Sequence, residues 1–168
     1  MSSTALLKLR FRVNGWTRRE TAMTDVAVFH GERGLIPFLN ATDILVVLLP
    51  LTAETEGIID YELLRQLRQR NGIGGAVLIS AGRGRLQRDD DILRALDDGT
   101  LKEASLDVFE VEPLPKESRL WHHPKVLMTP HAAATSDPNH LVPLMLAQMD
   151  ALERGEPLGN VVDRAAGY

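Results

Sequence analysis

The sequence predicts a doubly wound α/β domain, a parallel sheet with helices on both faces, that lacks its first strand and the glycine-rich turn after it. Strand-like and helix-like segments alternate along most of the chain, as they do where parallel strands are joined by helical crossovers. Residues 44–49 form an unbroken run of Ile, Leu and Val, suited to a central strand buried on both faces. The front departs from the pattern. Residues 4–9 read as the tail of a helix running into a strand, where such a domain opens with strand, glycine turn and helix.

Taken in order, residues 11–16 and 26–29 read as short strands and 44–49 as the central one; 76–80, 104–107 and 126–128 complete the set. Helical spacing covers 34–40, 60–69 and 89–98. Asp89, Asp90 and Asp91 stand where a helix N-terminus favours acids and are read as capping residues, with Gly99 as the stop. A longer helix over 141–152 closes the chain before Arg154-Gly155-Glu156-Pro157.

With 168 residues, 44% of them hydrophobic, the chain can bury the core of one domain and not two. A net charge of -4 argues against a nucleic-acid or anionic-membrane surface, and the longest apolar run is far too short to span a bilayer. There is no cysteine, so disulfides and thiolate metal sites are excluded. The N-terminus has no signal-peptide pattern, and the protein is read as cytoplasmic.

Two glycine clusters resemble phosphate loops. Gly72-Ile73-Gly74-Gly75 precedes a strand instead of following one, so it is read as a turn. Gly82-Arg83-Gly84 does follow a strand, but the third glycine of a dinucleotide fingerprint is replaced by Gln87. His122, His123 and His131 match no metal-ligand spacing, and the first two are read as surface residues.

Three stretches carry chemistry. Arg83 can clamp a carboxylate, His131 can move a proton, and Glu112 can hold that histidine in its charged form. The ordered set Leu49-Pro50-Leu51-Thr52-Ala53-Glu54-Thr55, Gly82-Arg83-Gly84, Asp107-Val108-Phe109-Glu110-Val111-Glu112-Pro113-Leu114 and Thr129-Pro130-His131 closely resembles the D-isomer-specific 2-hydroxyacid dehydrogenases. Asn14-Gly15-Trp16-Thr17-Arg18-Arg19 and the terminal residues 162–168 look most like the branch that reduces glyoxylate and hydroxypyruvate. The sequence departs from the family at Ser80, where Asn is expected, and at Arg85, where a small or apolar residue is common.

The resemblance implies a Rossmann-like NAD(P)-binding domain over residues 1–134. Residues 135–168 would be a helix and tail returning to a substrate domain, the whole corresponding to the later half of a family member. It implies that Arg83 pairs with the substrate carboxylate and keto oxygen, that His131 protonates that oxygen, and that Glu112 supports His131. It implies that Asp107 holds the nicotinamide carboxamide, that Leu49, Pro50, Thr55 and Ala81 lie beside the cofactor, and that the protein is a homodimer. Arg18 and Arg19 follow the first strand where an NAD enzyme presents an acid, so NADPH is preferred, with Glu20 leaving NADH open. The expected activity is hydride transfer to a small 2-oxo acid without a metal. The alternative is a truncated, non-catalytic remnant or a dimerisation or regulatory module of the same fold.

Overall fold

The computed structural model describes residues 2–134 and 137–162. The terminal motif beyond Val162, and residues 135 and 136 at the expected domain boundary, lie outside them. In chain order the elements are α1 (Ser2–Lys8), β1 (Asn14–Thr17), β2 (Ala27–His30), α2 (Gly31–Asn40), β3 (Ile44–Val47), α3 (Tyr61–Leu64), β4 (Ala76–Ser80), α4 (Asp89–Asp97), β5 (Leu101–Leu106), β6 (Val126–Met128) and α5 (Pro138–Glu153). Short 3-10 turns occupy Gly84–Leu86 and Arg119–His122.

The strands form two parallel sheets, β1-β2 and β3-β4-β5-β6. Register sets the core. Leu45, Leu78 and Ala104 lie side by side in one row, and Val47, Ser80 and Leu106 in the next. All six are buried. Strand side chains alternate between faces, so these rows point the same way, and Leu64, Ile92 and Leu96 of α3 and α4 belong to the same cluster. On the other face, Ile44, Val46 and Leu127 are 38, 46 and 65% exposed. None of the residues of α5 is buried.

Several boundaries differ from expectation, each for a physical reason. The strand expected over 11–16 starts later because Leu9, Arg10 and Phe11 close α1: their N–H groups return to Ala5, Leu7 and Leu6, with Arg10 at φ 64°. The helix expected over 60–69 is a single turn, capped by the Asp60 carboxylate on Leu63 N at 2.8 Å. Beyond it the chain is drawn to the start of β3. Arg68 N bonds Thr42 O and its guanidinium grips Asp43 bidentately.

The aspartates of α4 occupy its first turn, but they do not cap it. The N-cap is Arg88, without a side-chain bond, and Asp89 N donates instead to Glu110 Oε2 at 3.3 Å. A carboxylate from a distant loop thus does the work expected of a local one. Nor is His123 a surface residue. Its side chain is 9% exposed and lies 3.4 Å from Asp97 Oδ1.

The glycine pair around Arg83 is explained by close packing. A Cβ on Gly84 would stand 1.6 Å from Phe109 O, and one on Gly82 would meet Leu86 Cδ1 at 2.9 Å. Gly84 therefore lets the loop after β4 and the loop after β5 touch backbone to backbone. Gly84→Ala should destabilise the chain by about 3 kcal/mol, the upper end of the overpacking range, because backbone cannot yield as a side chain can. Urea unfolding checks this, with a lower midpoint and an unchanged slope expected.

Candidate active site

Every residue singled out for chemistry lies just beyond the C-terminal end of a parallel strand, where open α/β sheets form their ligand crevice. Thr17, Arg18 and Arg19 end β1; Leu49, Pro50 and Thr55 follow β3; Ala81 and Arg83 follow β4; Asp107 and Glu112 follow β5; His131 follows β6. The ladder runs one step past the strands. Ala81 N donates to Val47 O, Asp107 N to Ser80 O and Thr129 N to Leu106 O, at 3.2, 2.9 and 3.0 Å. These three loops therefore start in register.

Glu112 bridges two of them. One carboxylate oxygen accepts from Phe109 N at 2.9 Å, and the other lies 2.8 Å from His131 Nδ1. A carboxylate can only accept, so Nδ1 carries the proton and Nε2 is left for a ligand. Burial pushes the Glu112 carboxyl up, but the bonds from His131 and Phe109 N outweigh it, and its pKa lies below the usual glutamate value. Glu110, two residues earlier, turns the other way, to the start of α4.

Asp107 is buried at 6% exposure and binds the turn that carries the histidine. Its carboxylate accepts from Thr129 Oγ1 and from the N–H groups of Ala132 and Ala133, the latter two at 2.9 Å. Burial opposes its charge, yet these three donors hold its pKa below the usual aspartate value. His131 has φ 53°, a left-handed conformation costing a non-glycine residue roughly 1–2 kcal/mol. The bonds to Asp107 fix the residues on either side of it. Residue types alone gave no sign that the turn would use both oxygens of Asp107.

Arg83 is exposed, and its Nη1 donates to Gly82 O at 2.9 Å. Its link to the other two residues runs through the backbone: Gly84 packs on Phe109, Phe109 N bonds Glu112, and Glu112 meets His131. A second tie escaped the sequence reading. Gln87, 1% exposed, donates to Val108 O at 3.1 Å and to Asp89 Oδ1 at 2.8 Å, fastening the loop that carries Glu112 to α4. Burial raises the Asp89 pKa, against the bonds from Gln87 and Glu110 N that lower it. Ser80 Oγ, where the family resemblance leads one to expect Asn, is buried without a protein partner among the described residues.

The residues expected near a nicotinamide dinucleotide fall into two groups along the row of strand ends. At one end, Arg18 reaches across to Glu54 at 2.5 Å, joining the end of β1 to the loop after β3. Thr55 Oγ1 donates to Pro50 O at 2.7 Å and accepts from Thr52 N at 2.8 Å, so it shapes that loop from within. At the other end stand Ala81, Asp107 and His131. The middle of the dinucleotide finds no cradle in the Gly82–Gly84 turn, since the space at Gly84 is taken by Phe109 backbone.

Comparison with known proteins bears on the family and the fold. The sequence profile of the D-isomer specific 2-hydroxyacid dehydrogenase NAD binding domain matches residues 3–133. Glyoxylate/hydroxypyruvate reductase A of Salmonella newport is 45% identical over 158 residues, 94% of this chain and 49% of the relative. The structure of an NADPH-dependent glyoxylate/hydroxypyruvate reductase from Sinorhizobium meliloti, in complex with NADP and sulfate, superposes with a TM-score of 0.95 at 45% identity. It covers 99% of this chain and 52% of the other. A probable 2-hydroxyacid dehydrogenase from Rhizobium etli, in complex with NADP, HEPES and L(+)-tartaric acid, gives 0.91 at 49% identity, covering 99 and 53%. The chain spans about half the length of the curated relatives it matches. On the profile match and these likenesses together, the chain belongs to the D-isomer specific 2-hydroxyacid dehydrogenase family and carries its NAD-binding domain.

Proposed function

We propose that the chain provides the cofactor domain and proton-transfer pair of an NADPH-preferring reductase of glyoxylate, hydroxypyruvate or a similarly small 2-oxo acid, working as a homodimer. The observation that carries this reading is the Glu112–His131 pair, 2.8 Å apart at the crevice of a domain whose relatives include such reductases. NADPH is favoured by Arg18 and Arg19 at the end of β1 and by the NADP bound in both structures cited above.

When bound, the reduced nicotinamide supplies a hydride. The protein does the rest. Arg83 swings from Gly82 O to hold the substrate carboxylate through paired charge-assisted hydrogen bonds. His131 delivers a proton from Nε2 to the carbonyl oxygen, and Glu112 stabilises the imidazolium that precedes delivery. Asp107 keeps the histidine turn in place and, with Ala81, would hold the nicotinamide end of the cofactor, while Leu49, Pro50 and Thr55 would lie beside the cofactor. The mechanism is orientation with charge stabilisation.

A second reading, a non-catalytic or dimerisation module of the same fold, is favoured by one observation. The Gly82–Gly84 turn packs on protein backbone and offers a pyrophosphate no seat of its own.

Oxidation of NADPH and NADH by the purified chain with glyoxylate or hydroxypyruvate separates the two readings. Turnover faster with NADPH is expected from the first, and neither turnover nor nucleotide binding from the second. In an active preparation His131→Ala should cost roughly 100-fold or more in kcat. Glu112→Gln and Arg83→Ala should each cost about 10–100-fold in kcat/KM, the worth of a hydrogen bond to a charged group. Three variants with undiminished rates would overturn the assignment.

The Glu112 carboxyl also gives stability a pH dependence. Its folded pKa is depressed, so the unfolded chain binds the proton more tightly and stability rises with pH. The contribution is fully present above the ordinary glutamate value and is lost as pH falls through the depressed one. Urea midpoints measured across that acid range should fall less steeply in Glu112→Gln than in the parent chain.

A further inference from the structure

The two arginines that favour NADPH meet carboxylates at the end of β1. Arg18 Nη1 donates to Glu54 Oε2 at 2.5 Å, across 36 residues of sequence, and Glu20 follows Arg19 directly. Folded loops present both ends of the pair. Thr17 Oγ1 donates to Arg19 O at 2.7 Å, turning the chain after β1. After β3, the N–H groups of Thr55 and Glu56 return to Thr52 O at 3.1 and 3.0 Å, and Thr55 Oγ1 holds Pro50 O. Glu54 sits inside that turn, so its carboxylate reaches Arg18 from a loop with its own internal bonds.

The side chains of Arg18 and Glu54 are 43 and 67% exposed. An ion pair so open to solvent adds little to stability, and its consequence lies in what else reaches the same guanidinium. A phosphate monoester carries a charge of about -1.5 to -2 at neutral pH. It would take Arg18 through paired charge-assisted hydrogen bonds. With Glu54 in place, that guanidinium is already neutralised, and a carboxylate stands beside the arriving phosphate oxygens. Binding must break the pair or bear the repulsion. A ribose hydroxyl in the same position meets neither cost, because a neutral group neither displaces Glu54 nor is repelled by it.

We infer that Glu54 is a cofactor-specificity residue: its carboxylate competes with the 2′-phosphate of NADPH for Arg18 and so narrows the preference for NADPH over NADH. The inference rests on the NADPH-preferring function proposed above. Arg19, exposed and one residue on, carries the rest of the preference.

The test titrates the 168-residue chain with adenosine 2′,5′-bisphosphate and with adenosine 5′-monophosphate, which differ only by the 2′-phosphate, and follows amide chemical shifts. Glu54→Gln should bind the bisphosphate about two- to fivefold more tightly than the parent, the range an exposed ion pair spans, and the monophosphate as the parent does. In an Arg18→Gln background, adding Glu54→Gln should bring no gain. Glu62→Gln, which takes the same charge from an exposed pair with Arg65, should leave both nucleotides unchanged. Weaker binding of the bisphosphate by Glu54→Gln would make the glutamate a support for Arg18 and overturn the inference. Equal gains for both nucleotides, a gain that persists without Arg18, or no binding of the bisphosphate by any of the proteins would overturn it too. NADPH oxidation is measured in parallel. If it is absent, a gain confined to the bisphosphate upholds the role of Glu54 and defeats the reductase reading. Turnover with the same KM for NADPH in Glu54→Gln and the parent leaves the reductase reading standing and overturns the inference.

Discussion

The carboxylate of Glu112 is the point on which the candidate site depends. One oxygen is held by Phe109 N, in its own loop, and that bond fixes where the other oxygen points. The second oxygen then sets His131, whose residue sits in a left-handed conformation that would not persist unsupported. Around this bridge the rest is support. Gly84 lets the Arg83 loop press on Phe109, Gln87 ties Val108 to α4, and Asp107 grips the turn on both sides of His131. The pair of side chains keeps one geometry because its backbone has few other places to go.

Much of this was legible in the sequence because it is local. The strands at 76–80 and 126–128 fall where β-branched and apolar runs put them, and the strand ends that bear Arg83, Asp107 and His131 follow from them. What escaped depends on contacts between distant segments. The helix after Asp60 is cut short by the pull of Asp43 on Arg68, 25 residues away in sequence, and no propensity registers that. The cap of α4 comes from Glu110, which faces a different element from Glu112 although it stands only two residues before it. His123 has a side chain only 9% exposed beside Asp97, and a doublet of histidines gives no hint of it.

The glycines carry a similar lesson. Gly82 and Gly84 could be read as the start of a phosphate loop, and the substitution of Gln87 for the third glycine was the only warning. The structure supplies the reason: Gln87 is buried and bonds Val108 O and Asp89, so the segment serves the neighbouring loop. The division of the sheet has a comparable origin. β1 and β3 each have one edge without a ladder partner among the described residues, and an edge is visible only once the strands are paired.

The central claim, that Glu112 sets the proton and orientation of His131, is tested most directly by nitrogen-15 spectra of the His131 ring in the parent chain and in Glu112→Gln. Neither spectrum requires cofactor or turnover. The account predicts a proton on Nδ1 held toward Glu112 in the parent, and a changed Nδ1 signal when the carboxylate is replaced. Identical ring spectra in the two proteins would contradict it.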